Sequence, residues 1–230
     1  MGLEEDITMA NKWQPYLFWI LLAFLAIGLV YPAVGVIAIV CMLAPVLLAP
    51  FRGRYWCGNF CPRGSFYDNV LARFSPRRPI PPFFRSKGLR VFMLAFIMTV
   101  FSVQTYFAWG DLAAMGRVFV NLILVTTLVG VALGLLYHQR TWCGFCPMGT
   151  LASWLSRGAM PLKVAPSCVG CGLCARACPL QLTPQAGKAA GAFTDGDCLK
   201  CGRCAAVCPR QALAFGEELP AAQTTTNKPA

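Results

Sequence analysis

Charge is scarce in this chain. Asp, Glu, Lys and Arg make up 13% of its 230 residues, where a soluble domain carries roughly a quarter. Acid is scarcer still, with 9 Asp and Glu against 20 Lys and Arg. With 57% hydrophobic residues, this shortage excludes an ordinary soluble domain and suits a chain that turns apolar surface to lipid. There is one histidine, His138, so a haem held by two histidines cannot be built from this chain alone. The start, MGLEEDITMANKW, lacks the basic region and small-residue cleavage site of a secretory leader. The 13 cysteines are therefore expected to be reduced ligands rather than disulfides. No nucleic-acid motif accompanies the net charge of +11, and a cationic membrane face accounts for that charge.

Four apolar stretches are present: Pro15 to Tyr31, Ala33 to Pro50, Leu89 to Gly110 and Val118 to Tyr137. A helix of about 20 apolar residues spans a bilayer, so four spans in two pairs are expected. The loop between the pairs carries Arg52, Arg54, Arg63, Arg73, Arg77, Arg78, Arg85 and Lys87 against Asp68 alone. The positive-inside rule makes that loop cytoplasmic, together with both termini. The expected location is the inner (cytoplasmic) membrane, multi-pass. Within the loop, SPRRPIPPFF (75–84) is too rich in proline for a helix and reads as an extended connector. The expected division is a membrane domain over 1–160, a cysteine-rich domain over 161–215 and a disordered tail over 216–230.

That cysteine-rich domain holds two copies of C-x-x-C-x-x-C-x-x-x-C-P. They are Cys168, Cys171, Cys174 and Cys178, and Cys198, Cys201, Cys204 and Cys208. Zinc sites more often pair two C-x-x-C units, whereas this run is the bacterial pattern for a pair of 4Fe–4S clusters. In that pattern the fourth cysteine of each run serves the other cluster. Cys168, Cys171, Cys174 and Cys208 are expected to hold one, and Cys198, Cys201, Cys204 and Cys178 the other. The chemistry implied is one-electron transfer.

A second repeat lies at the ends of the expected span pairs. Arg54-Tyr-Trp56-Cys57-Gly58-Asn-Phe60-Cys61-Pro62-Arg-Gly64-Ser65 matches Arg140-Thr-Trp142-Cys143-Gly144-Phe145-Cys146-Pro147-Met-Gly149-Thr150, with one residue fewer between the second pair of cysteines. Repeats in membrane proteins often pack under pseudo-symmetry, which would bring Cys57, Cys61, Cys143 and Cys146 together. This quartet is open to three readings: a third iron or iron–sulfur centre whose charge Arg54 and Arg140 offset, a redox-active thiol site, or structural loops holding another metal or none. Ser65 and Thr150 are placed to cap short amphipathic helices lying at the interface, and Trp56 and Trp142 read as interfacial anchors. His138, at the end of the fourth stretch, is a candidate to help a quinol lose protons.

These paired C-G-x(x)-F-C-P loops, with four spans and the terminal octet, resemble the NapH/NosR/CcoG polyferredoxin family over about Trp13 to Phe215. The resemblance implies an all-α four-helix transmembrane domain of two pseudo-repeated helix pairs, followed by a small α+β ferredoxin-like domain with two 4Fe–4S clusters. It implies an electron-transfer subunit that works with partner redox subunits and the quinone pool, closest to a NapH-like quinol dehydrogenase membrane subunit. Metal handling for cofactor assembly and anchoring of a soluble redox enzyme are the alternatives within and beyond that family.

Overall fold

The computed structural model describes residues 12–156 and 158–216. The acidic start and the tail expected to be disordered therefore lie almost wholly outside the described residues. The first apolar stretch forms α1 (Phe18–Val30). It ends there because Pro32 disfavours helical geometry at Tyr31. A 3-10 turn over Pro32–Ile37 runs directly into α2 (Ala38–Arg52), which stops at Gly53, held at φ 60°. Glycine adopts this left-handed region without a Cβ penalty.

Two long helices follow the loop. α5 (Lys87–Phe107) is capped by Ser86, whose hydroxyl accepts from the Leu89 amide at 3.3 Å. α6 (Leu112–Leu136) is capped by Asp111, whose carboxylate accepts from the Ala113 amide at 2.8 Å. That cap starts α6 six residues before the expected Val118. Among the described residues three helices are long and apolar enough to cross a membrane: Pro32–Arg52, Lys87–Phe107 and Leu112–Leu136. α1 has 13 residues, about 20 Å at 1.5 Å per residue, which is short of a hydrocarbon core of about 30 Å. Glycines set the tightest approach between these elements. A Cβ on Gly116 of α6 would stand 1.9 Å from the Pro32 carbonyl oxygen, and one on Gly35 would stand 2.0 Å from the Gly116 oxygen.

Each cysteine loop folds into a turn and a short helix. The first has α3 (Tyr55–Asn59) and α4 (Pro62–Asn69). The second has a 3-10 turn over Trp142–Gly144 and then α7 (Pro147–Leu155). α4 and α7 begin at Pro62 and Pro147, not after Ser65 and Thr150 as the sequence reading expected. Proline is pre-organised for the first helical position and gives up no needed N–H there. Cys61 takes the cap position, its sulfur accepting from the Gly64 amide at 3.4 Å. Ser65 instead ties α4 to the N-terminal segment, donating to the Gln14 carbonyl and accepting from the Phe18 amide. One face of each helix packs inward, with Ser65 and Tyr67 of α4 and Thr150 and Ala152 of α7 buried, while Trp154 of α7 is exposed.

The C-terminal unit is a three-stranded antiparallel sheet with two short helices. The strands are β1 (Leu162–Val164), β2 (Ala192–Phe193) and β3 (Leu213–Phe215), in the order β2-β1-β3. The helices are α8 (Leu173–Ala177) and α9 (Arg203–Ala206), entered through Gly172 and Gly202 at φ 76° and 72°. Leu162, Val164, Leu180, Leu213 and Phe215 form its core, which is continuous with Tyr55 of the first cysteine loop. The proline-rich connector is tied to this unit. Gln181 accepts from the Ile80 amide at 2.9 Å and donates to the Arg78 carbonyl at 3.0 Å.

Candidate metal centres

The octet divides into two sets in space. Cys168, Cys171, Cys174 and Cys208 line one small cavity, and Cys178, Cys198, Cys201 and Cys204 line another. The exchange of the fourth cysteine follows from the antiparallel sheet. β1 and β3 bracket the two runs, so the end of each run returns beside the start of the other. The Cys208 sulfur accepts from the Ala212 amide at 3.3 Å, the type of bond that tunes a cluster's potential.

Cys57, Cys61, Cys143 and Cys146 line a third cavity of about 160 Å³. The missing residue in the second loop does not break the pairing, because the turn absorbs it. The amide of Cys61 donates to the Trp56 carbonyl at 2.9 Å across five residues, and that of Cys146 donates to the Trp142 carbonyl at 2.9 Å across four. Each second cysteine thus returns over its own tryptophan. The next bonds match as well: Ser65 to the Cys61 carbonyl at 2.9 Å and Thr150 to the Cys146 carbonyl at 2.8 Å.

The two motif arginines cross over. Arg54 donates to the Cys143 carbonyl at 2.7 Å, and Arg140 donates to the Cys57 carbonyl at 3.3 Å. Arg140 also donates to the Cys143 sulfur at 3.6 Å. Each guanidinium lies against the glycine of the opposite motif. A Cβ on Gly149 would stand 2.5 Å from Arg54 Nη2, and one on Gly64 would stand 2.7 Å from Arg140 Nη1. The C-P-x-G spacing in both loops therefore makes room for the partner loop's arginine.

Two carboxylates hold these arginines, Asp68 with its side chain buried and Asp197 with its side chain 15% exposed, and the sequence reading assigned neither this role. Asp68 receives Arg140 in a fork, with both bonds at 2.8 Å, and Arg203 at 2.7 Å. Asp197 receives Arg54 at 3.1 Å and also Arg90. Burial pushes the Asp68 carboxyl up, but Arg140 and Arg203 outweigh it and hold it below the usual carboxylate value. At Asp197 burial is likewise outweighed, by Arg54 and Arg90. Arg203 lies between the ligand candidates Cys201 and Cys204, and Asp197 adjoins Cys198. Both bridges therefore fasten the second cysteine set of the C-terminal unit to the loop quartet. Backbone packing adds to them. A Cβ on Gly58 would stand 2.2 Å from the Leu199 carbonyl oxygen, and Asn59 donates to the Lys200 carbonyl at 3.3 Å. Lys200 is buried at φ 53°, where the first run has Gly170. That bond and the side chain's passage against Gly53 hold it in this region, which non-glycine residues rarely adopt.

The quartet's surroundings fit an anionic group. Three guanidiniums (Arg54, Arg63 and Arg140) line the cavity, and the carboxylates that brace Arg54 and Arg140 are each shared with a further arginine, Arg90 at Asp197 and Arg203 at Asp68. The Trp56 and Trp142 ring N–H groups and Arg54 Nε are buried without an acceptor among the described residues. Trp142 is 2% exposed and both tryptophans line the cavity, so neither is an interfacial anchor. Their positions in the motif next to Cys57 and Cys143 turn them inward. Burial pushes the Cys57 thiol up to about 12, against the pull of Arg54. A bare thiol there is a poor nucleophile, because the thiolate is the reactive form. Among the described residues no three His, Cys, Asp or Glu side chains are gathered as a site for a single metal ion.

His138 is not among the residues lining that cavity. It is 5% exposed, and its Nδ1 accepts from the Arg140 amide at 3.3 Å. Burial pulls its pKa down to about 4, Asp68 opposes this, and Arg77, Arg140 and Arg85 reinforce it.

Comparison with known proteins agrees with this layout. A 4Fe-4S binding domain matches residues 34–81 and again 119–164, one match for each cysteine loop. A 4Fe-4S dicluster domain matches residues 167–213, which contain the octet. An uncharacterized protein of Methanocaldococcus jannaschii, MJ0749, is 26% identical over 198 residues, covering 79% of this chain and 78% of that protein. No solved structure matches the chain. Two 4Fe-4S-binding domains are thus present in this chain, as in an iron–sulfur electron-transfer protein.

Proposed function

We propose that this chain is an integral-membrane iron–sulfur subunit that relays single electrons between the quinone pool and a partner oxidoreductase. In this reading four apolar helices lie in the inner membrane, with the cysteine loops and the C-terminal unit on the cytoplasmic side. Cys168, Cys171, Cys174 and Cys208 hold one 4Fe–4S cluster, and Cys198, Cys201, Cys204 and Cys178 hold a second. Cys57, Cys61, Cys143 and Cys146 hold a third iron–sulfur centre. Reversible one-electron transfer is the chemistry such centres supply.

The observation that carries the reading is the quartet's cavity: four cysteines and three guanidiniums lining one space, beside ring N–H donors without an acceptor among the described residues. Thiolate ligands would supply the missing negative charge, because a buried charge is stable only when compensated. Arg54 and Arg140 orient the two loops, and Asp68 and Asp197 keep the second octet set against them. The cavity's far wall is apolar, built from Ile20, Leu21 and Phe24 of α1 with Ala38 and Met42 of α2. A lipid-soluble quinol would approach the quartet along that wall.

Iron and sulfide analysis of the purified protein tests this. Two clusters give about eight irons per chain and a third gives about twelve. Cys57→Ser and Cys143→Ser should each lower the count from about twelve to about eight, leaving the octet's signals unchanged. A wild-type count of about eight, unmoved by either substitution, removes the quartet from the relay.

A further inference from the structure

The C-terminal unit contains two equivalent halves, and only one of them is covered. In the second half Leu199 is 4% exposed and Lys200 2%. Arg203 is bonded to Asp68, and none of the residues lining that half's cavity is exposed. The counterparts in the first half are Val169, Gly170 and Leu173. Val169 is 61% exposed and Leu173 40%, and Gly170 and Cys171 are also open. Val169, Leu173, Pro209 and Arg210 line the mouth of the first cavity. Arg176 stands one turn beyond Leu173 on α8 and, like Arg210, is exposed. The unit's described acids, Asp195 and Asp197, sit by Cys198 in the other half.

From this asymmetry we infer that the first half is the docking face for a soluble, acidic one-electron carrier protein, and that the relay is polarised. The first cysteine set exchanges electrons with that carrier, and the second set exchanges them with the loop quartet. The inference rests on the iron–sulfur reading above. Charge selects the partner: an apolar patch of Val169 and Leu173 rimmed by Arg176 and Arg210, with no carboxylate among the described residues that line the cavity, complements an acidic surface around a redox centre. Val169 and Leu173 would exclude water, and the arginines would steer the encounter. The exposed Cys171 gives the carrier's centre a short approach, which a lipid surface would insulate. The step is balanced as one electron exchanged between two centres, one oxidised as the other is reduced, with no bond broken and no proton moved.

The test uses the whole chain in nanodiscs and a plant-type [2Fe–2S] ferredoxin, an acidic carrier, as probe. Binding is measured at low and high salt. Arg176→Glu/Arg210→Glu is compared with Arg73→Glu, the same kind of charge reversal on an exposed residue of the membrane loop. Val169→Ser probes the apolar patch without charge. The double variant should bind about tenfold or more weakly at low salt and lose most of its salt dependence. Val169→Ser should weaken binding at both salt levels, and Arg73→Glu should bind as wild type. Equal binding by all four proteins overturns the inference. So does a Val169→Ser defect seen only in binding to anionic liposomes, or only in self-association, which would give the face to lipid or to a second copy. Iron analysis of the same samples separates the two levels. A chain with its octet iron in place and no docking defect rejects the docking face alone, whereas a chain without iron rejects the relay itself.

Discussion

Asp68 is the residue whose loss should do most damage outside the cysteines. Its side chain is 2% exposed and accepts the fork from Arg140, itself 1% exposed, together with Arg203. Asp68→Asn keeps the shape but leaves the Arg140 charge buried without its counter-ion. Removing one partner of a buried pair costs about 3–5 kcal/mol. Arg203 is 33% exposed, so its share is small and most of the cost falls on Arg140. The damage should appear as separation of the two cysteine loops, which the Asp68–Arg140 pair joins. At about 3 kcal/mol the open population of the loops rises roughly a hundredfold. Proteolysis under conditions where opening and closing outpace cleavage reports that population. Cleavage within the two loops should therefore quicken by about two orders of magnitude, while α5 and α6 stay protected. The pH dependence has a definite sign. The folded pKa of Asp68 is depressed, so its contribution is complete above the unfolded value of about 4 and is lost as pH falls further through the folded value. Asp111→Asn is the control. It keeps the cap on α6, because an asparagine oxygen still accepts from the Ala113 amide, and loses only a negative charge at the helix N-terminus, at a cost of no more than about 1 kcal/mol, without opening the loops. An Asp68→Asn protein as protease-resistant as wild type at neutral pH would refute the clamp.

Gly58→Ala should loosen the contact between the first cysteine loop and the C-terminal unit sterically. Its Cβ would meet a carbonyl oxygen that cannot swing away, at a cost of about 1–3 kcal/mol, readable in the same proteolysis assay. His138 should lend stability a pH dependence above that of Asp68. Its folded pKa is about 4 against an unfolded value of about 6.5, so the unfolded chain binds more protons between the two, and stability falls as pH drops through that window. His138→Gln should flatten the thermal-stability profile there. A His138→Gln protein with an unchanged profile would show that the imidazole titrates normally.

The octet's division was legible because its spacing leaves little freedom. Runs of four cysteines closed by Cys-Pro repeat a local geometry that any context would preserve. The two loops were legible as a repeat for the same reason, and the apolar stretches announced their helices through composition. Helix starts were less legible. Ser65 and Thr150 look like caps in one dimension, but Pro62 and Pro147 start the helices earlier, and Ser65 is spent on α1. Trp56 and Trp142 look like membrane anchors until folding turns them inward.

The sequence by itself determined the type of chemistry, the pairing of two loops and the apolar character of the chain, since each depends on neighbours within a dozen or so residues. The tertiary structure decided what the scarce charges do. Arg54 and Arg140 cross to the opposite loops, and Asp68 and Asp197, two of only nine acids, bind four arginines between the loops and the C-terminal unit. Those partners lie 72 to 143 residues apart in the chain, so no local pattern announces them. A buried carboxylate becomes stable only where folding brings guanidiniums around it.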